Sequence, residues 1–180
     1  MTRRVSGIAT LLYPHLSNNQ TQQMKIELIV VGKTDLAEVA KLVEMYSSRI
    51  SHYLRFGQTV IPDPKNRKSL SEAEQKEQEG EAILRLIEPS DHLVLLDERG
   101  KESTSVEFAA WLGKRMAAGT KRLVFVIGGP YGFSEKVYSR ANEKVSLSKM
   151  TFSHQIVRAL FTEQLYRALT ILNNEPYHHQ

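Results

Sequence analysis

Three glycines fall within five positions, Gly128-Gly129-Pro130-Tyr131-Gly132, directly after the apolar run Leu123-Val124-Phe125-Val126-Ile127. The uncharged, largely β-branched run predicts a buried strand. A strand that breaks into glycine lets backbone approach a ligand where side chains would obstruct it. Farther on, Leu147-Ser148-Lys149-Met150-Thr151-Phe152 forms a Ser/Thr-rich turn, and Ser153-His154 leads into a long amphipathic helix. These stretches read as two walls of one pocket, since ligands favour the carboxyl ends of parallel strands. His154, at the start of the helix, is a candidate pocket residue. Farther along, Arg158 and Arg167 offer cations to a phosphate or a polar base, and Tyr177 and His178 stand near the chain end. Locally, Arg167 pairs with Glu163 at the favourable i, i+4 spacing, and a Tyr-His terminus reads as a frayed tail.

Other chemistries fail on their spacing. Gly100-Lys101 is no phosphate-binding loop, because Leu95 stands where the first glycine belongs and Glu102 replaces the hydroxyl that would hold magnesium. The glycines at 128–132 miss the dinucleotide fingerprint, which needs glycine at Ile127. No serine sits in a Gly-x-Ser-x-Gly elbow. His178-His179 reads as solvated rather than metal-binding. Without cysteine, the chain has no disulfide, thiolate nucleophile or cysteine-held metal.

The elements that must position these residues alternate. Strands are expected at Lys25 to Val31, Phe56 to Ile61, His92 to Leu96, Leu123 to Ile127 and Lys144 to Leu147. A helix with Asp35 and Glu38 as capping box follows the first strand, carrying Leu36, Val39, Val43, Tyr46 and Ile50. A charged helix spans Ser69 to Ile87, and Asp97 to Gly100 is a turn. Thr104 and Glu107 cap a helix ending at Gly119, a short helix covers Ser134 to Ala141, and the last runs from Ser153 to Leu172. In that last helix, Ile156, Leu160, Phe161, Leu165, Leu169 and Leu172 form the face to be buried, while Arg158, Thr162, Tyr166 and Arg167 project elsewhere. This order predicts a single α/β domain, a mostly parallel sheet covered by helices on both faces.

The totals suit that architecture. A chain of 180 residues, 41% hydrophobic, supplies one core. A net charge of +4 permits a polyanionic partner without requiring one. No apolar run reaches membrane-spanning length, and nothing marks a secretory signal, so a cytoplasmic protein is expected. Residues 1–23, ending in a Gln/Asn-rich stretch, read as a disordered extension before a domain at 24–180.

Four stretches taken together resemble a known family: Val126 to Gly132, Leu147 to His154, Glu163-Gln164-Leu165-Tyr166-Arg167-Ala168 and Pro176-Tyr177-His178. The chain is similar to the SPOUT superfamily of RNA methyltransferases and, more narrowly, to the RlmH family, which methylates N3 of a pseudouridine in 23S ribosomal RNA. The resemblance implies a C-terminal trefoil knot, S-adenosylmethionine as methyl donor, no metal, a homodimer, and the ribosome as partner. It assigns the donor to Leu96, Gly128 and the stretch Leu147, Ser148, Lys149, Met150, Thr151 and Phe152. Backbone groups there would read the adenine edge, with Leu96, Ile127, Leu147 and Met150 against its faces. It favours function over a bland role for Arg158, and places Tyr177 and His178 by the active site, near the partner subunit's pocket.

The chemistry to be served is in-line displacement at an activated methyl group, so alignment dominates. The imide nitrogen must lose its proton, which a neutral His178 could accept, or Arg158 could stabilise the charge that develops. Basic residues are scattered (Lys65, Arg67, Lys68, Lys136, Arg140, Lys149), implying a weak grip on naked RNA and an assembled ribosome as substrate. Two rival readings are a non-catalytic ribosome-binding or assembly factor and a knotted transfer-RNA methyltransferase.

Overall fold

A computed structural model describes residues 24–179, so the expectation for residues 1–23 lies outside the described residues. Five strands form one sheet: β1 (Lys25–Val31), β2 (Arg55–Ile61), β3 (His92–Glu102), β4 (Arg122–Ile127) and β5 (Glu143–Ser146). They lie in the order β2-β1-β4-β3-β5, with every neighbouring pair parallel. Five α-helices connect and cover them: α1 (Ala37–Ile50), α2 (Glu72–Leu84), α3 (Ser105–Ala117), α4 (Glu135–Arg140) and α5 (Ile156–Leu172), with a 3-10 turn at Arg67–Ser69 before α2.

The central strands are largely apolar because both faces are covered, with Glu27 of β1 a buried exception that accepts from Thr59 and pairs with Lys25. On one face Ile26, Leu28, Val30, Phe125 and Ile127 pack against Ile50 of α1, Phe108 and Leu112 of α3, and Phe161, Leu165 and Leu169 of α5. On the other, Ile29, Val31, Leu93, Leu95, Val124 and Val126 meet Ile83 of α2 and Val137 of α4. The expected α/β class and the two-sided cover are observed.

Besides shifts of one to three residues at other ends, α5 beginning at Ile156 rather than Ser153 among them, three differences from expectation matter. Asp35 does not cap α1: Leu36 takes the N-cap position without a side-chain bond, and the Asp35 N–H donates to Gln155 Oε1. Helix α2 starts later than expected, at Glu72, where Ser71 and Glu74 form the capping box. Thr104 and Glu107 cap α3 as read.

The third difference shapes the site. Asp97 to Gly100 is not a turn but an outward bulge within β3, flanked by Leu96 and Lys101, which both pair with Val145. Gly100 permits it, because a Cβ there would stand 2.5–2.7 Å from the backbone of Val145 and Ser146. The bulge lifts Asp97, Glu98 and Arg99 to the carboxyl edge of the sheet.

Candidate cofactor pocket and C-terminal cluster

At that edge the ends of β3, β4 and β5 enclose a cavity of about 500 Å³, within the range of small-molecule sites. Leu96, Gly128, Leu147, Ser148, Met150, Thr151 and Phe152 all line it, together with Ile127 and His154. Lys149 is absent from the lining and is exposed.

The glycine wall is held from behind. The buried Glu79 of α2 accepts the Gly129 N–H and a bond from Gln75 Nε2 at 2.8 Å. Its carboxyl group fills the space beside Gly129 where a side chain would go. Burial pushes the Glu79 pKa above the ordinary carboxylate value, outweighing those hydrogen bonds. The Phe133 ring backs Gly128, 3.0 Å from where a Cβ would stand. Gly132, at φ +81°, closes the turn by donating its N–H to the Gly129 carbonyl.

The bulge supplies the polar wall. Tyr138 donates its hydroxyl to Asp97 Oδ2 at 2.5 Å, and the Arg99 N–H donates to Asp97 Oδ1 at 2.8 Å. Burial first, then the Asp97 bond, pushes the Tyr138 hydroxyl up to about 12. Opposite, Ser146 Oγ donates to the Ser148 carbonyl, and the Met150 N–H donates to Ser148 Oγ. Thr151 Oγ1 reaches across to Glu98 Oε2 at 3.2 Å, joining the two walls. Met150 is 75% exposed at the rim. His154 is half-buried, and burial followed by the Arg158 charge lowers its pKa, favouring neutral imidazole.

Arg158 does not face this cavity, and the expectation that Arg158 and Thr162 project away from the core is corrected. Both are fully buried. The Arg158 guanidinium donates to the carbonyls of Val31 at 2.7 Å and Gly32 at 3.0 Å, to Thr34 Oγ1, and through Nε to the His154 carbonyl. It clamps the end of β1 to the first turn of α5, and burial depresses its pKa. Ile156 and Leu160, expected inside, are 41% and 37% exposed.

Tyr177 and His178 dock on α5 rather than fray. Tyr177 donates to Glu163 Oε1 at 3.1 Å, and Arg167 donates to the same oxygen at 2.6 Å while lying over the Tyr177 ring at 4.7 Å. His178 Nδ1 stands 3.4 Å from Arg167. The Tyr177 hydroxyl is held protonated by burial, by Tyr46 and by the Glu163 charge. Within one chain this cluster is not at the cavity: ten residues of helix separate Arg167 from the lining residue Val157, a rise of about 15 Å. Ile156, Leu160, Glu163 and Arg167, at spacings of four, three and four, share one face of α5. That face runs from the exposed Phe152 to the tail.

Sequence reasoning missed Glu79, Gln75, Asp97 and Tyr138. Glu79 is hidden among the many charged residues of α2, but Gly80 in mid-helix was a usable signal of close packing; a Cβ there would strike the Ser134 hydroxyl. Among the described residues, no three His, Asp or Glu side chains converge as metal ligands.

Residues 24–178 match the family described as "Predicted SPOUT methyltransferase". A protein of Parabacteroides distasonis is 62% identical over 157 residues, covering 87% of this chain and all of the relative. One of Christiangramia forsetii is 59% identical over the same extent. Both are named ribosomal RNA large subunit methyltransferase H. The fold is also that of a probable methyltransferase from Bordetella pertussis, at TM-score 0.52 and 11% identity, over 81% of this chain and 95% of that one.

Proposed function

Because the chain belongs to the SPOUT methyltransferase family, in its RlmH branch, we propose that it methylates N3 of a pseudouridine in large-subunit ribosomal RNA, on assembled ribosomes in the cytoplasm, with S-adenosylmethionine as donor. One observation carries the reading. The cavity is lined by the same Leu96, Gly128, Leu147, Ser148, Met150, Thr151 and Phe152 that the family resemblance assigns to the donor. The residues suit that ligand. Backbone at Gly128 and Gly129 is open to close approach, and Leu96, Ile127, Leu147 and Met150 offer apolar surface for a purine.

The donor, when bound, supplies an activated methyl group. The chain holds it in line and keeps water away from the reacting atoms. Exposed Ile156 and Leu160 form the contact between two copies in a homodimer. With α5 of one copy antiparallel to α5 of the other, the tail cluster of each approaches the cavity of its partner. There Arg167 and Tyr177 orient the base, and His178 takes the imide proton. Arg158 serves by fixing β1 to the wall that runs from Leu147 to His154. The knot expected for the family belongs to this proposal.

Incubation with ribosomes lacking the modification and isotopically labelled S-adenosylmethionine, followed by mass spectrometry of the ribosomal nucleosides, tests the reading. Labelled 3-methylpseudouridine is the expected product; folded protein and competent ribosomes yielding none would overturn it.

A further inference from the structure

Charge is unevenly placed around the cavity. In a chain of net charge +4, the lining holds three carboxylates, Glu72, Asp97 and Glu98, against one guanidinium, Arg99. Glu72, Glu98 and Arg99 are exposed, where solvent and salt screen them. Asp97 alone of the three carboxylates is half-buried. Tyr138 and the Arg99 N–H fix its two oxygens, which leaves part of its acceptor capacity open. Among the described residues it makes no ion pair. An oriented anion without a paired cation faces a space where a ligand's charge can be sensed.

We infer that Asp97, oriented by Tyr138, makes the cavity prefer a positively charged sulfonium donor over the neutral thioether left after transfer. The inference rests on the cofactor reading above. During transfer the S–CH3 bond breaks and its electron pair stays on sulfur. The N3–CH3 bond forms from the imide nitrogen's electron pair, and the imide proton leaves to a base. The bound cofactor therefore loses one unit of positive charge. Attraction to Asp97 falls with it, so the spent cofactor is released more readily than the donor it replaces. Asp97 is a specificity residue, and Tyr138 is a positioning residue acting through it.

Calorimetric titration of the intact protein with S-adenosylmethionine and, separately, S-adenosylhomocysteine tests this. Asp97→Asn keeps the shape and still accepts the Tyr138 hydroxyl. It is expected to weaken donor binding about tenfold more than product binding, with product inhibition of turnover rising correspondingly. Tyr138→Phe, which leaves the charge but frees its orientation, gives a smaller change in the same ratio. Thermal unfolding of both variants identifies misfolding, in which case Asp97→Glu, retaining the charge, should retain the preference. Equal weakening of both ligands, or an unchanged ratio, overturns the inference and leaves the pocket assignment standing. Wild-type protein that binds neither ligand overturns the pocket assignment as well.

Discussion

The carboxyl group of Glu79 fills the place beside Gly129 that a side chain would need, its carbon 2.9 Å from where a Cβ would stand. The ligand-facing turn is thus braced from α2, on the side away from the cavity. Gly129→Ala must displace this buried carboxyl group or the turn itself. The expected result is a loss of about 1 to 3 kcal/mol in stability and at least about a tenfold loss of donor affinity. Denaturant titration and calorimetry read the two quantities; an alanine variant with wild-type values in both would separate Glu79 from the turn.

Glu79 also gives the fold a pH signature. Its folded pKa lies above the ordinary carboxylate value because of burial, so between the two values the folded state holds more proton than the unfolded state. Stability from this group is complete below the unfolded value and falls as pH rises through the folded one. Glu79→Gln removes that slope while keeping an acceptor for the Gly129 N–H. Melting temperature followed from acid to neutral pH should decline less steeply in the variant.

Arg158 separates a structural from a substrate-binding role. Its guanidinium is spent on Val31, Gly32, Thr34 and His154. Arg158→Met leaves those buried acceptors without their charged donor and should cost about 2 to 4 kcal/mol. Lost turnover with undiminished stability would instead place the side chain on the RNA.

The sheet, its helical cover and most of the cavity were legible because strand runs, glycine breaks and the Thr104 cap are local signals. The faces of α5 were not. Ile156 and Leu160 are as apolar as Phe161 and Leu165, so periodicity alone cannot say which stripe the sheet will cover. Arg158 is as polar as Arg167 on the same helix, yet the carbonyls of Val31 and Gly32 at the end of β1 draw it inward. The bulge in β3 was hidden for a related reason: Asp97-Glu98-Arg99-Gly100 has turn composition, and only the pairing of Leu96 and Lys101 with Val145 shows the strand resuming.

The docked tail predicts a split between binding and turnover. His178→Ala should lower methyl transfer to ribosomes by about a hundredfold while donor affinity stays at the wild-type value, because His178 is assigned to the substrate base and not to the donor. Single-turnover kinetics beside calorimetry would show it. Undiminished transfer would remove His178 as proton acceptor.

Exposed Ile156 and Leu160 predict the assembly. Leu160→Glu puts a charge on the stripe without touching the core and should yield a monomer in sedimentation. Such a monomer would bind the donor yet transfer no methyl group. A variant that stays dimeric would place the interface on another face.

The Arg158 clamp has a consequence for biosynthesis. Strand β1 is the first element made among the described residues, yet its neighbour β4 follows about ninety residues later and α5, which reaches β1 through Arg158, later still. Contacts so distant along the chain cannot form until nearly all of it has been translated, and they are slow to form afterwards. A nascent chain that stalls before Ile156 therefore leaves exposed the part of the β1 and α1 apolar face that Phe161, Leu165 and Leu169 of α5 bury, a state for chaperones to guard.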